Sequence, residues 1–153
     1  MNGAGATFKF EESVMTYLRI LLIVVVATFN LGAVAAQDAP MQIAGAKTIN
    51  AEQIFELVAK TPNVVILDNR KPEDYAAGHI EGAVRLLDTD VSSETLAKHV
   101  ATKDTPVLFY CNGVKCGRAA KATEKAVELG YTKVYYYALG MDEWNAQQLP
   151  LVR

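Results

Sequence analysis

The chain is expected to fold as an α/β domain, a mainly parallel central sheet with helices on both faces. Three observations predict it. Two short apolar runs, Val64–Leu67 and Val107–Tyr110, carry no polar alternation, as strands buried on both faces should. Helical patterns fall between such runs, and alternating strands and helices build a parallel sheet. The length, 153 residues, suits one domain of ordinary size and is too short for two.

The elements follow in order. Thr48-Ile49-Asn50 leads from a first strand into AEQIFELVAK, with Asn50 as N-cap and Ile54, Leu57 and Val58 on one helical face. Pro62-Asn63 makes a turn into the strand Val64–Leu67, which ends at Asp68. Pro72 suits the first turn of a short helix over 72–77, and Gly78 stops it. Residues 83–86 form a further short strand. Ser92 or Ser93 caps a helix reaching about Val100. Pro106 precedes the strand Val107–Tyr110. After a loop over 111–117, RAAKATEKAVELG is a helix closed by Gly130. Val134–Tyr137 is the last strand, and Gly140 opens a last short helix carrying Trp144. No internal repeat or low-complexity segment interrupts this order.

Composition removes several function classes. The net charge is -2 and no Lys/Arg cluster is dense enough for a nucleic-acid footprint. Two cysteines, Cys111 and Cys116, are too few for a disulfide framework. With two histidines and no Cys-x-x-Cys, neither a structural zinc site nor another cofactor is implied.

Residues 15–36 read as an address. Arg19 precedes an apolar run, Ile20–Phe29, and then come Gly32, Ala33, Val34, Ala35 and Ala36. That order is a secretory signal peptide with cleavage at Ala36–Gln37. Glu11 and Glu12 make the extreme N-terminus unlike a signal, and Met15 as the true start removes the difficulty. The competing reading is an uncleaved membrane anchor, since Ile20–Ala36 is at the short end for a spanning helix. In either case the domain is expected outside the cytoplasm, periplasmic or otherwise extracytoplasmic. The organisation is then a signal peptide or anchor over 1–36, a linker over 37–45 and a domain over 46–153.

In open α/β sheets, ligands bind beyond the carboxyl ends of the strands. Cys111 stands there, after one strand and before a helix, in the segment YCNGVKCGRAAKA. The thiolate is the reactive form of cysteine, and backbone N–H groups at a helix start favour it. Gly113 and Gly117 let successive amides turn toward one spot, and Lys115 and Arg118 add positive charge. The expected product is an anion cradle around the Cys111 sulfur, suited to a thiolate or a persulfide. Cys116 stays open among three roles: resolving an oxidised or persulfidated Cys111, pairing with it, or packing.

At these residues the sequence resembles the rhodanese superfamily. VILDNRKPEDYAAGHIEGA matches its Asp-x-Arg strand end and Gly-His-Ile-x-Gly-Ala turn at Asp68, Arg70, Asp74, Tyr75, Gly78, His79, Ile80, Gly82 and Ala83. VLFYCNGVKCGRAAKA is similar to the family's active-site strand, loop and helix. VYYYALGMDEWNAQQLPLV is similar to its closing strand, glycine turn and tryptophan helix. The resemblance covers nearly all of 46–151 and implies a three-layer rhodanese-like fold. It also implies sulfur transfer, with Cys111 as nucleophile. The backbone of Asn112, Gly113, Val114, Lys115 and Cys116 would hold the persulfide, with Arg118 near. Implied partners are a small donor such as thiosulfate and a thiol or cyanide acceptor, including a protein thiol. No metal is implied, and a membrane is involved only through an uncleaved N-terminus.

Two departures stand out. Many members carry Arg at the fifth position after the cysteine, where this chain has Cys116. The related phosphatases place Arg one position later, where this chain has Gly117, so bidentate clamping of a phosphoryl group is not expected.

Other residues have quieter readings. Asp68 and Arg70 form a structural pair at the sheet's end, with a supporting role at the site. Asn69 between them has no account. His79 is a structural hydrogen-bonding residue and His99 a solvated one. Tyr135–Tyr137 read as half-buried, Trp144 as core, and Asp88, Asp90 and Glu94 as a solvated acidic turn. Three functions compete: a sulfurtransferase, a thiol redox protein using Cys111 and Cys116, and a non-catalytic sulfur carrier.

Overall fold

A computed structural model describes residues 38–153. The signal or anchor read over 1–36, its cleavage point and Met15 lie outside the described residues, as does Gln37. Among the described residues no helix is long and apolar enough to cross a membrane.

The elements run β1 (Ala46–Thr48), α1 (Ala51–Lys60), β2 (Val65–Asp68), α2 (Pro72–Ala77), β3 (Ala83–Arg85), α3 (Ser93–His99), β4 (Val107–Tyr110), α4 (Arg118–Glu128), β5 (Val134–Tyr137) and α5 (Gly140–Ala146). A single 3₁₀ turn, Asp88–Asp90, precedes α3. The five strands form one sheet in the order β1-β5-β4-β2-β3, and every pairing is parallel.

Local chemistry starts and stops these elements where expected. Asn50 closes a capping box with Gln53 at the start of α1, and Ser92 closes one with Thr95 at the start of α3. Pro72 opens α2 and Gly78 follows its end. β4 is buried at all four positions because it is the middle strand, covered on both faces. Its side chains alternate between two cores. Leu108 and Tyr110 pack with Ile54, Leu57, Met141 and Trp144 beneath α1 and α5. Val107 and Phe109 pack with Leu96, Ala122 and Ala126 beneath α3 and α4. The small residues Ala119, Ala120, Ala122, Thr123 and Ala126 form the buried stripe of α4.

Three expectations need correction. Val58 does not share the buried face of α1, whose buried residues are Ala51, Ile54 and Leu57; Val58 is 44 % exposed. The helical row continues from 54 to 57, and 58 turns off the sheet. Tyr136 and Tyr137 are fully buried rather than half-buried, because β5 lies between β1 and β4; only Tyr135 stays partly exposed. Asp88 is not simply solvated: its carboxylate lies 3.9 Å from Arg118 Nε and its carbonyl accepts from Lys125 Nζ at 2.7 Å.

Register brings Asp68, Tyr110 and Tyr137 into one row at the carboxyl ends of β2, β4 and β5. Cys111 follows directly, so it leaves the sheet at the centre of its carboxyl edge.

Candidate active site

The site rests on a buried polar network. Asp68 is fully buried, and its carboxylate takes Arg70 Nη2 at 2.7 Å and Arg70 Nε at 3.0 Å from both oxygens. Tyr110 Oη donates to Asp68 Oδ2 at 2.6 Å and accepts from the Ile80 amide at 3.3 Å. Arg70 Nη2 also donates to Gly78 O at 2.8 Å. A buried charge pair persists when its polar atoms find partners, and here both Asp68 oxygens, Arg70 Nε and Arg70 Nη2 have them. Burial, with Asp68 beside it, pushes the Tyr110 hydroxyl far above its usual range. Burial works against the charge on Arg70, but the bonds and charge of Asp68 outweigh it and raise its pKa. The network joins β2, β4 and the Gly78–Ile80 turn under the residue that precedes Cys111.

Asn69 belongs to the same floor. It is fully buried, its Nδ2 donates to Leu86 O at 2.6 Å, and its amide donates to Tyr110 O at 2.9 Å. It ties the outlet of β2 to the chain leaving β3.

The loop after Cys111 is pinned from three sides. Met141 N donates to Cys111 O at 3.0 Å, and Asp142 N donates to Asn112 O at 2.7 Å. This approach requires Gly140, which has φ +54, and where a Cβ would collide with Cys111 O. Asn112 Nδ2 donates to Asp74 Oδ2 at 3.2 Å. From the third side, Ala39 N donates to Val114 O at 2.7 Å and Lys115 pairs with Asp38. Ala39 and Ile43 are buried against Cys111, Ala119 and Tyr136.

Cys111 and Cys116 are joined in a disulfide, with 6.2 Å between their Cα atoms. Of the three roles left open for Cys116, pairing is the one the structure displays. Cys111 is 2 % exposed. Cys116 is partly exposed and lines a cleft of about 420 Å³ with Lys71, Glu73, Asp74, Asn112, Gly113, Lys115, Arg118 and Asp142. Arg118 Nη1 lies 3.6 Å from Cys116 Sγ.

Among the described residues, the amides of Asn112, Gly113, Val114 and Lys115 donate to no protein acceptor, whereas that of Cys116 donates to Gly113 O at 2.9 Å. Four of the five expected cradle amides are thus unspent, and the fifth serves the loop's own turn. Of the two expected cations, Arg118 stands beside the Cys116 sulfur and Lys115 is drawn outward to Asp38.

His79 is set apart. Its ring stacks on Tyr75 at 3.7 Å, its Nδ1 lies 3.0 Å from Tyr75 O, and its backbone pairs with Val152. His99 is exposed. Sequence reasoning missed Asp38, Ala39 and Asp142 as neighbours of the loop. The first two carry no local signal, because only the fold brings them there. Asp142 follows the glycine turn by two residues, and that turn was the available clue.

The Rhodanese-like domain family matches residues 50–147. This is a single rhodanese-like domain, and the chain belongs to that family. It is 31% identical over 108 residues to YibN, an uncharacterized protein of Escherichia coli K12, covering 70% of this chain and 73% of the relative. It is 34% identical over 101 residues to thiosulfate sulfurtransferase GlpE of Pseudoalteromonas translucida, covering 65% and 90%. The human single-domain sulfurtransferase TSTD1 shares the fold, with a TM-score of 0.55 at 23% identity, over 67% of this chain and 98% of that one.

Proposed function

We propose that this protein is a sulfurtransferase that carries sulfane sulfur as a persulfide on Cys111. The reduced Cys111 thiolate attacks the outer sulfur of a donor such as thiosulfate. The donor's S–S bond breaks and sulfite leaves with the electron pair. A thiol or cyanide then attacks the terminal sulfur, and the Cys111 thiolate departs. One difficult transfer becomes two easier ones. The observation that carries this reading is the placement of Cys111 at the centre of the sheet's carboxyl edge, followed by four amides that have no acceptor among the described residues. Such amides stabilise the anionic forms on which both steps depend. Arg118 is the cation for an anionic donor. The sulfurtransferases among the relatives support the same class. The signal-peptide or anchor pattern of residues 1–36 supports an extracytoplasmic location as part of the same proposal.

The test uses the full chain after reduction, with thiosulfate as donor and cyanide as acceptor. Thiocyanate should form, and Cys111→Ser should reduce it to background. Undiminished thiocyanate from Cys111→Ser would overturn the proposal.

The Cys111–Cys116 disulfide favours a second reading, a thiol redox protein. That reading expects a reversible disulfide and no sulfur loading by thiosulfate.

A further inference from the structure

The disulfide and the cleft give Cys116 a task that sulfur transfer alone does not require. We propose that Cys116 resolves the Cys111 persulfide within the chain and expels its sulfur as sulfide, which makes the protein a dithiol-dependent reductase of sulfane sulfur. The inference rests on the persulfide reading above.

Three observations carry it. The loop already holds Cys111 and Cys116 within bonding reach, with 6.2 Å between their Cα atoms. The Arg118 guanidinium, 3.6 Å from Cys116 Sγ, stabilises negative charge on that sulfur and so favours the attacking thiolate. The two sulfurs differ in access: Cys111 is 2 % exposed, whereas Cys116 lines the cleft.

The chemistry balances. The Cys116 thiolate attacks Cys111 Sγ, the inner sulfur of the persulfide. A Cys116–Cys111 S–S bond forms, the bond from Cys111 Sγ to the outer sulfur breaks, and the outer sulfur leaves as hydrosulfide with the electron pair. The two protein thiols are oxidised to a disulfide and one sulfane sulfur is reduced to sulfide. An external dithiol restores the thiols: its thiolate attacks Cys116 Sγ from the cleft, the Cys111 thiolate leaves, and the second dithiol sulfur releases Cys116 as the dithiol itself becomes a disulfide. The accessible sulfur thus receives the reductant, and the buried one is returned ready for a donor.

The test is a single turnover. The reduced full chain, freed of reductant and kept anaerobic, receives thiosulfate and no acceptor, and sulfite, sulfide and intact mass are measured. The wild type should release about one sulfite and one sulfide per chain and lose two hydrogens, as the stoichiometry of exchange requires. Cys116→Ala should stop at the persulfide: sulfite appears, the chain gains one sulfur, and sulfide stays at background. A wild type that gains a sulfur and releases no sulfide would overturn the inference and leave the persulfide reading standing. A disulfide formed without sulfide would overturn it too. If neither chain releases sulfite with thiosulfate, and Cys116→Ala gains no sulfur from thiosulfate or from polysulfide, the persulfide reading fails and the inference with it.

Discussion

Asp68, Arg70 and Tyr110 show what one buried charge demands of its neighbours. Removing one partner of such a pair leaves the other uncompensated. Asp68→Ala should destabilise the domain by about 3–5 kcal/mol, measured by urea unfolding of the reduced chain. Tyr110→Phe removes one neutral donor to the carboxylate and should have a smaller effect, about 1–3 kcal/mol. The same hydroxyl gives a pH dependence. Its folded pKa lies above its unfolded value near 10, so its contribution is whole below about pH 10 and is lost as pH rises further. Unfolding midpoints should therefore fall across alkaline pH in the wild type, and less in Tyr110→Phe. The Asp68–Arg70 pair was legible in the sequence because Asp-x-Arg at a strand end keeps the two side chains close. Asn69 was not, because its partner Leu86 is set by the β2–β3 packing and not by its neighbours in sequence.

At the level of elements, periodicity and caps carried most of the information. The caps at Asn50 and Ser92 were readable because each bonds within its own helix start, and Asn50→Ala should destabilise by about 0.5–2 kcal/mol in a thermal melt. The burial of Tyr136 and Tyr137 was not readable, since it depends on which strand flanks β5 on either side. The turn into α5 matters for a different reason. Gly140 lets the backbone of 139–142 approach the cysteine loop closely enough to bind Cys111 O and Asn112 O. Gly140→Ala should displace that loop and lower the proposed sulfur loading of Cys111 by about tenfold or more while the far-ultraviolet spectrum stays folded, because a misplaced reacting group loses rate steeply.

For the molecule as a whole, the two cores are tied by β4, whose side chains alternate between them. Trp144 is the largest side chain in the first core, stacked on Phe55 at 5.4 Å and bonded through Nε1 to Pro150 O. Trp144→Ala should cost about 3–5 kcal/mol, read by the same urea titration. The fold class and the position of Cys111 were legible because strand–helix alternation fixes both. The contact between residues 38–43 and the loop was not, since a short Pro- and Gly-containing stretch has no period to follow.

Strand β1 has one more consequence. It is three residues long and covers the outer edge of β5. The family's match begins at residue 50, after β1, so the recognisable domain is smaller than the folded one. A chain trimmed to 50–147 would bare a row of unpaired amides and carbonyls along β5, and it would lose Ala39 from Val114. Such an edge recruits other strands. The shortened protein should self-associate, and its cysteine loop should loosen, although all the residues matched by the family remain.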